Sequence, residues 1–404
     1  MTANNQESTQ ASEKHRVGWF ELFYDLVLVA TINRAAQVFG ESPTWSTGAL
    51  IGGGLAVILT LWLATTVNLG CFTSLPGLRQ ILVVIQMVAM VVAALATGQG
   101  DGLPTVMGFV ALTVGFGSVT VLYGVSLAQD RQVQREARAV VLASGTATAV
   151  FAAGALLVVW QVPNVAIWEG ACITAGVLLL AGSLLGRSLT GLVALGRLSA
   201  EHLQERMGQL VLIVLGESLI YLVKNLSGLP QIPHVPLLVL IIVVVFAIWR
   251  IYFTTIFPAG LPAKSSVIRN WLLIHVLLIF GAVSMAAALS SIAVIGFSDP
   301  LPAKADSWTV LPMLYVMGAI LMLAITQRRR FGSDTAGVQL GRRIVQVHAV
   351  TFGLLLLLWP LGSMGPFTDS RWPLALGGLL LIADALASWV VLRSCQEEQT
   401  RLVL

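Results

Sequence analysis

Long runs of apolar residues, separated by short polar segments, make up most of the sequence. A membrane-spanning helix needs about 20 consecutive, mostly apolar residues. Twelve stretches of the chain meet this requirement. They predict an all-α, polytopic membrane protein with about twelve transmembrane helices, at residues 19–39, 48–69, 77–97, 103–128, 137–160, 164–185, 206–224, 235–257, 270–295, 309–327, 343–363 and 373–392.

The two ends of the chain differ from these apolar stretches. Residues 1–17 are polar and lack the apolar core of a signal peptide. We expect them to form a disordered cytoplasmic tail. Residues 397–404 are expected to form a second cytoplasmic tail.

Lysine and arginine residues alternate between the predicted loops. Most of them fall in every second loop, whereas the other loops hold only Lys224, Lys304 and Arg371. Positive residues are retained on the cytoplasmic side of a membrane. The alternation therefore predicts that both termini are cytoplasmic, in a multi-pass protein of the cell (inner) membrane.

The composition supports the same class of protein. The chain has 404 residues, of which 57% are hydrophobic and 10% charged, against about 25% charged in a soluble domain. Too little polar surface remains to cover a soluble globule, so the excess apolar surface is expected to face the lipid bilayer. The net charge of +4 lies mostly in loops and predicts no nucleic-acid partner. Three scattered cysteines predict neither disulfides nor a zinc site.

A weak internal repeat divides the chain into two predicted six-helix halves, at residues 18–200 and 201–396. In this alignment Trp62 corresponds to Trp249, and Arg79 corresponds to Arg269. The same alignment places Asp25 opposite Glu217. The alternative is that hydrophobic helices with an arginine at the inner end simply look alike.

Charged residues within apolar stretches are the candidates for function, because each costs at least about 2.5–3.5 kcal/mol at bilayer depth. Glu21 and Asp25 are four residues apart and share one face of the first helix. Glu21 has a simpler explanation, since acids near a helix start are stabilised by the helix dipole. Glu217 lies far from either end of an apolar run. It is either a functional acid or half of a buried ion pair with Arg250 or Arg34.

His202, Glu205 and Arg206 precede and enter the seventh predicted helix. Their spacing places all three on one side of that helix. His202 and Glu205 also have the spacing of metal ligands, but a two-metal site needs several more carboxylates. The sequence therefore predicts no metal, and these residues are candidates for substrate or ion binding.

Three further helices carry polar groups at depth. Arg250 is expected to face the interior, as a counter-ion for Asp25 or Glu217 or as an anion binder. His275 and His348 each lie about one turn inside a predicted helix. They are either interhelical hydrogen-bonding groups or a proton relay. Asp384 lies within the last predicted helix, where the sequence shows no partner for it.

Two long motifs, ELFYDLVLV and HLQERMGQLVLIVLGESL, resemble the bacterial low temperature requirement protein A (LtrA) family. WLATTVNLG, WRIYF and HVLLIFGAVSMA extend the resemblance. It implies a multi-helix inner-membrane protein without a defined activity. The family positions that this chain retains are Glu21, Phe23, Asp25, His202, Glu205, Arg206, Gly216, Glu217, Ser218, Trp249, Tyr252, Phe253 and His275. Asn68 and Thr254 stand where the family often has acids.

Three functions remain open from the sequence. The paired acids and the repeat favour a transporter or permease of an ion or small molecule with a buried acidic centre. The second hypothesis is a membrane-embedded enzyme that acts on a lipid-soluble substrate from the cytoplasmic side. In it, Glu205, Glu217 and His202 would act as general acid and base or bind a metal. The third is a structural or regulatory membrane protein. The chain lacks a P-loop and the common cofactor motifs, and no cofactor or catalytic residue is assigned.

Overall fold

The computed structural model describes residues 18–41, 44–72, 76–99, 102–226, 235–261, 264–295, 305–328, 335–361 and 371–403. Regular structure within these residues is helical throughout. The main helices are α1 Trp19–Glu41, α2 Trp45–Cys71, α3 Pro76–Ala96, α4 Leu103–Gln129, α5 Gln134–Val159, α6 Val165–Ala194, α7 Ala200–Leu226, α8 Val235–Ile251, α9 Ser265–Ile295, α10 Ala305–Gln327, α11 Thr335–Leu361 and α12 Arg371–Val403.

These helices confirm the predicted spans. In the described residues, 12 helices are long and apolar enough to cross a membrane. The last helix extends beyond its predicted span and continues to Val403, through most of the segment predicted as a tail. Residues 1–17, the other predicted tail, lie outside the described residues.

The chain packs as two compact units. The first comprises Met1–Thr31, Gly53–Leu210 and Pro262–Ser266, and the second comprises Ile32–Gly52, Val211–Leu261 and Val267–Leu404, as far as each is described. The division into six-helix repeats at 18–200 and 201–396 stays a prediction.

Small residues bring helices close together in the first unit. There α4 packs along α3 and α5, and α5 packs along α6. A Cβ atom added at Gly154 of α5 would lie 2.5 Å from the Phe109 ring of α4. Only glycine fits beneath that ring, as is common where helices approach closely in membranes.

In the second unit, α11 packs against α10 and α12, and α12 also packs against α8. After Ile251, α8 changes into a π turn at Tyr252–Ile256. The Thr254 and Thr255 hydroxyls donate hydrogen bonds to the carbonyls of Arg250 (2.7 Å) and Ile251 (2.6 Å). Hydroxyls commonly satisfy backbone carbonyls in this way where a membrane helix departs from α-geometry.

The outer surfaces of the helices are apolar. On α3, for example, Val83 and Met87 are buried, whereas Ile81 and Val88 are exposed. A soluble protein rarely leaves such residues exposed in a continuous surface. Lipid therefore supplies the environment in which these surfaces are stable.

Candidate functional site

A buried ion pair lies at the centre of the polar residues in the first unit. The Arg206 Nη2 atom of α7 donates to the Asp25 Oδ1 atom of α1 at 2.7 Å, and both side chains have 0% exposure. Asp25 sits in an otherwise apolar stretch of α1, where an unpaired carboxylate would be costly. The guanidinium group of Arg206 supplies the compensating charge.

Helix α2 forms one wall around this pair. The Trp62 Nε1 atom donates to the same carboxylate oxygen, Asp25 Oδ1, at 2.7 Å. The Arg206 guanidinium also lies 5.7 Å from the centroid of the Trp62 ring, within the range of a cation–π interaction. Arg206 Nη2 reaches the Thr66 hydroxyl at 3.4 Å. The pair is thus fixed by two side chains of a third helix.

Three polar atoms of the pair remain without hydrogen bonds in the part of the chain that the structure describes. They are Asp25 Oδ2, an acceptor, and Arg206 Nε and Nη1, which are donors, and all three are buried. A buried ion pair that only holds a fold together is stable when hydrogen bonds satisfy all of its remaining atoms. This pair therefore retains hydrogen-bonding capacity for a further group.

Glu21 and His202 lie next to the buried pair. Glu21 Oε2 is 3.5 Å from Arg206 Nη1 and 3.7 Å from His202 Nε2. Glu21 also lines an open cavity of 260 Å³, together with Leu69 and Arg79. The Glu21 carboxylate consequently connects the cavity to the guanidinium group that holds Asp25.

Glu217 lies in the second unit, where it is half-buried. The Asn33 side-chain amide of α1 donates a hydrogen bond to Glu217 Oε1. Gln37, one turn further along α1, donates to the Asn33 side-chain oxygen. Two amide side chains thus orient this carboxylate. A shared site for Asp25 and Glu217 stays a prediction.

Tyr252 and His275, both predicted site residues, are in contact in the second unit. The Tyr252 hydroxyl lies 2.8 Å from His275 Nε2, and both residues are buried. Arg250 was predicted to be a counter-ion for Asp25 or Glu217, or an anion binder. In the structure its guanidinium group lies over the Trp389 ring, 5.9 Å from the centroid.

His348 and Asp384 form a buried pair. The sequence analysis singled out both residues but did not predict that they are in contact. His348 Nδ1 lies 2.9 Å from Asp384 Oδ1, and both side chains have 0% exposure. Asp384 also accepts a hydrogen bond from Ser388, four residues further along the same helix, at 3.3 Å. Asp384 therefore has partners on α11 and on its own helix.

Glu205, the remaining predicted site residue, is half-buried. It forms no ion pair with any residue that the structure describes. Among those residues, no group of three or more histidine, cysteine, aspartate or glutamate side chains is placed to hold a metal ion.

The sequence analysis did not assign four polar residues to these clusters. They are Trp62, Asn33, Thr255 and Ser388. Ser388 had a readable signal, because a residue four positions after Asp384 shares its helix face. Asn33 could also be noticed as an amide within an apolar helix. Trp62 and Thr255 gave no such signal, since their partners are on other helices.

Twelve apolar helices with charged groups buried among them define an integral, multi-pass membrane protein. Charged groups at such depth are typical of membrane proteins that handle ions or polar solutes. The sequence profile of the family described as bacterial low temperature requirement A protein (LtrA) matches residues 16–383, and the chain belongs to this family. None of the curated proteins matches the sequence.

Proposed function

We propose that the protein is a transporter or permease, and that Asp25 and Arg206 form the centre of its site for an ion or small polar solute. The observation that carries this proposal is the incomplete hydrogen bonding of the fully buried pair. Asp25 Oδ2 and Arg206 Nε are free to accept from and donate to a further group within the described part of the chain.

The acceptor atom left open in the pair favours a cation. Asp25 Oδ2 has no hydrogen-bond partner among the described residues, and an ionised carboxylate oxygen can accept but not donate. A monovalent cation or a proton next to this oxygen would be attracted by the carboxylates of Asp25 and Glu21, whereas a free anion would be repelled by them.

The cavity beside Glu21 supplies an entry to this centre. It lies at the start of α1, and the carboxylate of Glu21 links it to Arg206. The positive-inside pattern of the loops supports a cytoplasmic N-terminus, and hence a cytoplasmic opening of this cavity. Labelling of single cysteines introduced near each terminus, in intact and opened cells, tests that orientation.

Transport can be measured with the purified full-length protein in liposomes. Gradients of H⁺, Na⁺ and K⁺ are imposed in turn, and flux is followed with ion-sensitive dyes. We expect flux of at least one cation, and a decrease of about tenfold or more for Asp25→Asn, because the neutral amide lacks the carboxylate charge that attracts the cation.

Asp130→Asn is the matched control. Asp130 pairs with Arg197 at 3.3 Å, but both side chains are partly exposed, and exposed ion pairs contribute little. Its flux should equal that of the unaltered protein. Absence of flux for all three cations, or equal flux in Asp25→Asn and the unaltered protein, would overturn the proposal.

Within the second unit, Glu217, Tyr252 and His275 are proposed separately as residues that bind an ion or small polar solute. Glu217→Gln in the same flux measurement tests that role. The enzyme hypothesis is addressed separately by elemental analysis of the purified protein, because a stoichiometric transition metal would favour it.

A further inference from the structure

A second buried polar cluster lies in the second unit and includes none of the residues proposed for transport. It consists of His348 on α11, Asp384 and Ser388 on α12, and Thr255 in the π turn after α8. Each of these side chains is at most 1% exposed. Four polar groups buried together at this depth require mutual hydrogen bonds to be stable.

The contacts around Asp384 match an ionised carboxylate. His348 Nδ1 lies 2.9 Å from Oδ1 and 3.1 Å from Oδ2. The Ser388 hydroxyl donates to Oδ1 at 3.3 Å. An ionised carboxylate can only accept, so in this arrangement His348 Nδ1 carries a hydrogen and donates it to Asp384.

The other ring nitrogen of His348 also faces an acceptor. His348 Nε2 lies 3.4 Å from the Thr255 hydroxyl oxygen. That hydroxyl donates its single hydrogen to the Ile251 carbonyl at 2.6 Å. Thr255 therefore presents lone pairs to Nε2, and the contact becomes a hydrogen bond only when Nε2 carries a proton.

This orientation also distinguishes the cluster from a hydrolytic triad. Threonine, histidine and aspartate are the residue types of such a triad, in which the hydroxyl donates to the histidine. Here the hydroxyl hydrogen of Thr255 points to Ile251 instead. Thr255 acts as an acceptor, so the cluster is arranged to hold a proton on His348.

His275 in the same unit provides an internal comparison. Its Nδ1 atom lies 2.8 Å from the Trp271 carbonyl, which can only accept. Its Nε2 atom lies 2.8 Å from the Tyr252 hydroxyl, which can donate to it. One acceptor and one donor match a neutral imidazole. His275 is as buried as His348, but the two groups that its ring nitrogens contact, a backbone carbonyl and a phenol, carry no negative charge.

The charges around His348 also favour a doubly protonated His348 ring. A neutral His348 would leave the Asp384 carboxylate without a counter-ion, whereas a doubly protonated ring balances it. Residues 310–327 of the neighbouring α10 include no acidic or basic residue. Its titratable residue in that range, Tyr315, packs on Phe280.

The arginines of the surrounding helices are engaged elsewhere or point outward. Arg250 of α8 and Arg393 of α12 both lie over the Trp389 ring. Arg342 and Arg343 of α11 are exposed. Tyr252, on the π turn, faces His275.

We propose that His348, Asp384 and Thr255 form a proton-binding site, in which a second proton binds at His348 Nε2. The proton is held between the ring and the Thr255 oxygen, and its charge is balanced by Asp384. The site does not depend on the proposed transport of a cation at Asp25, and its test needs no transport measurement.

The test is ¹⁵N NMR of the histidine rings in the full-length protein, embedded in lipid nanodiscs. The ¹⁵N shifts distinguish a neutral ring from a doubly protonated ring. His348→Gln and His275→Gln assign the two signals. When spectra are compared between about pH 5 and about pH 9, His348 should be found in both forms, whereas His275 should stay neutral.

Two variants establish the cause of this difference. In Asp384→Asn the transition of His348 should move to lower pH by about one unit or more, because the balancing charge is lost. Thr255→Val keeps the shape of the side chain but removes the acceptor, and it should shift the transition in the same direction. It serves as the second test if Asp384→Asn does not fold.

Ser388→Ala is the matched control, since Ser388 touches Asp384 and has no contact with the ring nitrogens. In Ser388→Ala the pH at which His348 changes form should move less than in Asp384→Asn or Thr255→Val. The proposal is overturned if His348 stays neutral throughout the titration, if His275 titrates in the same way, or if Thr255→Val leaves the transition unchanged.

Discussion

Arg206 and Asp25 are 181 positions apart in the chain, yet Arg206 Nη2 lies 2.7 Å from Asp25 Oδ1 and neither side chain is exposed. Removing one partner leaves the other charge buried and unpaired, which costs about 3–5 kcal/mol. We expect Arg206→Met to reduce the unfolding free energy by that amount. Denaturant unfolding in detergent measures it.

The double variant Asp25→Leu/Arg206→Met provides the control for that measurement. Replacing both charges with apolar groups removes the unpaired carboxylate, so stability should recover substantially. If transport is the function, flux should stay low even after stability recovers. Recovery of both stability and flux would instead indicate that the pair has a structural role only.

Trp62 should contribute mainly through one hydrogen bond. Trp62→Phe keeps an aromatic ring beside Arg206 but removes the Nε1 donor to Asp25, which is 2.7 Å away. We expect a loss of about 1–2 kcal/mol in unfolding free energy. Trp168→Phe is the control, because its Nε1 atom donates to the Pro163 carbonyl at an exposed position. Equal losses in both variants would contradict this interpretation.

Glu217→Gln separates the charge of this side chain from its hydrogen bond. The side-chain oxygen of glutamine can still accept from Asn33, which donates to Glu217 Oε1. The unfolding free energy should change by less than about 1 kcal/mol. Asn33→Leu removes the donor and should be more destabilising. A large loss of stability in Glu217→Gln would show that the negative charge itself is structural.

Gly281 should be intolerant of any side chain. A Cβ atom there would lie 2.9 Å from the Val316 backbone nitrogen on α10, and a backbone atom cannot move aside cheaply. Gly281→Ala is therefore expected to cost about 1–3 kcal/mol. Thermal unfolding measures the effect.

Gly353→Ala is the matched control for Gly281. Gly353 also lies within a helix, and a Cβ atom there meets nothing within 4 Å. Alanine has the higher helix propensity, so this variant should be neutral or up to about 1 kcal/mol more stable. A loss as large as that of Gly281→Ala would argue against the close approach of α9 and α10.

The helices could be predicted because hydrophobic length is a local property of the sequence. Even the polar first span, with Glu21 and Asp25, forms a continuous helix. The contact between Arg206 and Asp25 was not predicted, since the sequence analysis offered Arg250 as the counter-ion for Asp25. Spacing along a helix identifies residues on one face, but it does not identify the helix opposite.

Asp384 illustrates the same limit. Its partner His348 lies 36 positions away on another helix, and no periodicity connects the two residues. The π turn that brings Thr255 to His348 was also unpredictable, because it depends on how the backbone hydrogen bonds shift by one residue. By contrast, the contribution of Ser388 follows from helix spacing alone.

The π turn at Tyr252–Ile256 makes chain length as important as residue identity in this part of α8. Deleting one residue between Tyr252 and Thr254 would rotate the side chains that follow by about 100° relative to the preceding helix. Thr255 would then point away from His348 although Thr255 itself was unchanged. Insertions and deletions in this segment should therefore be far more harmful than conservative substitutions at most of its positions.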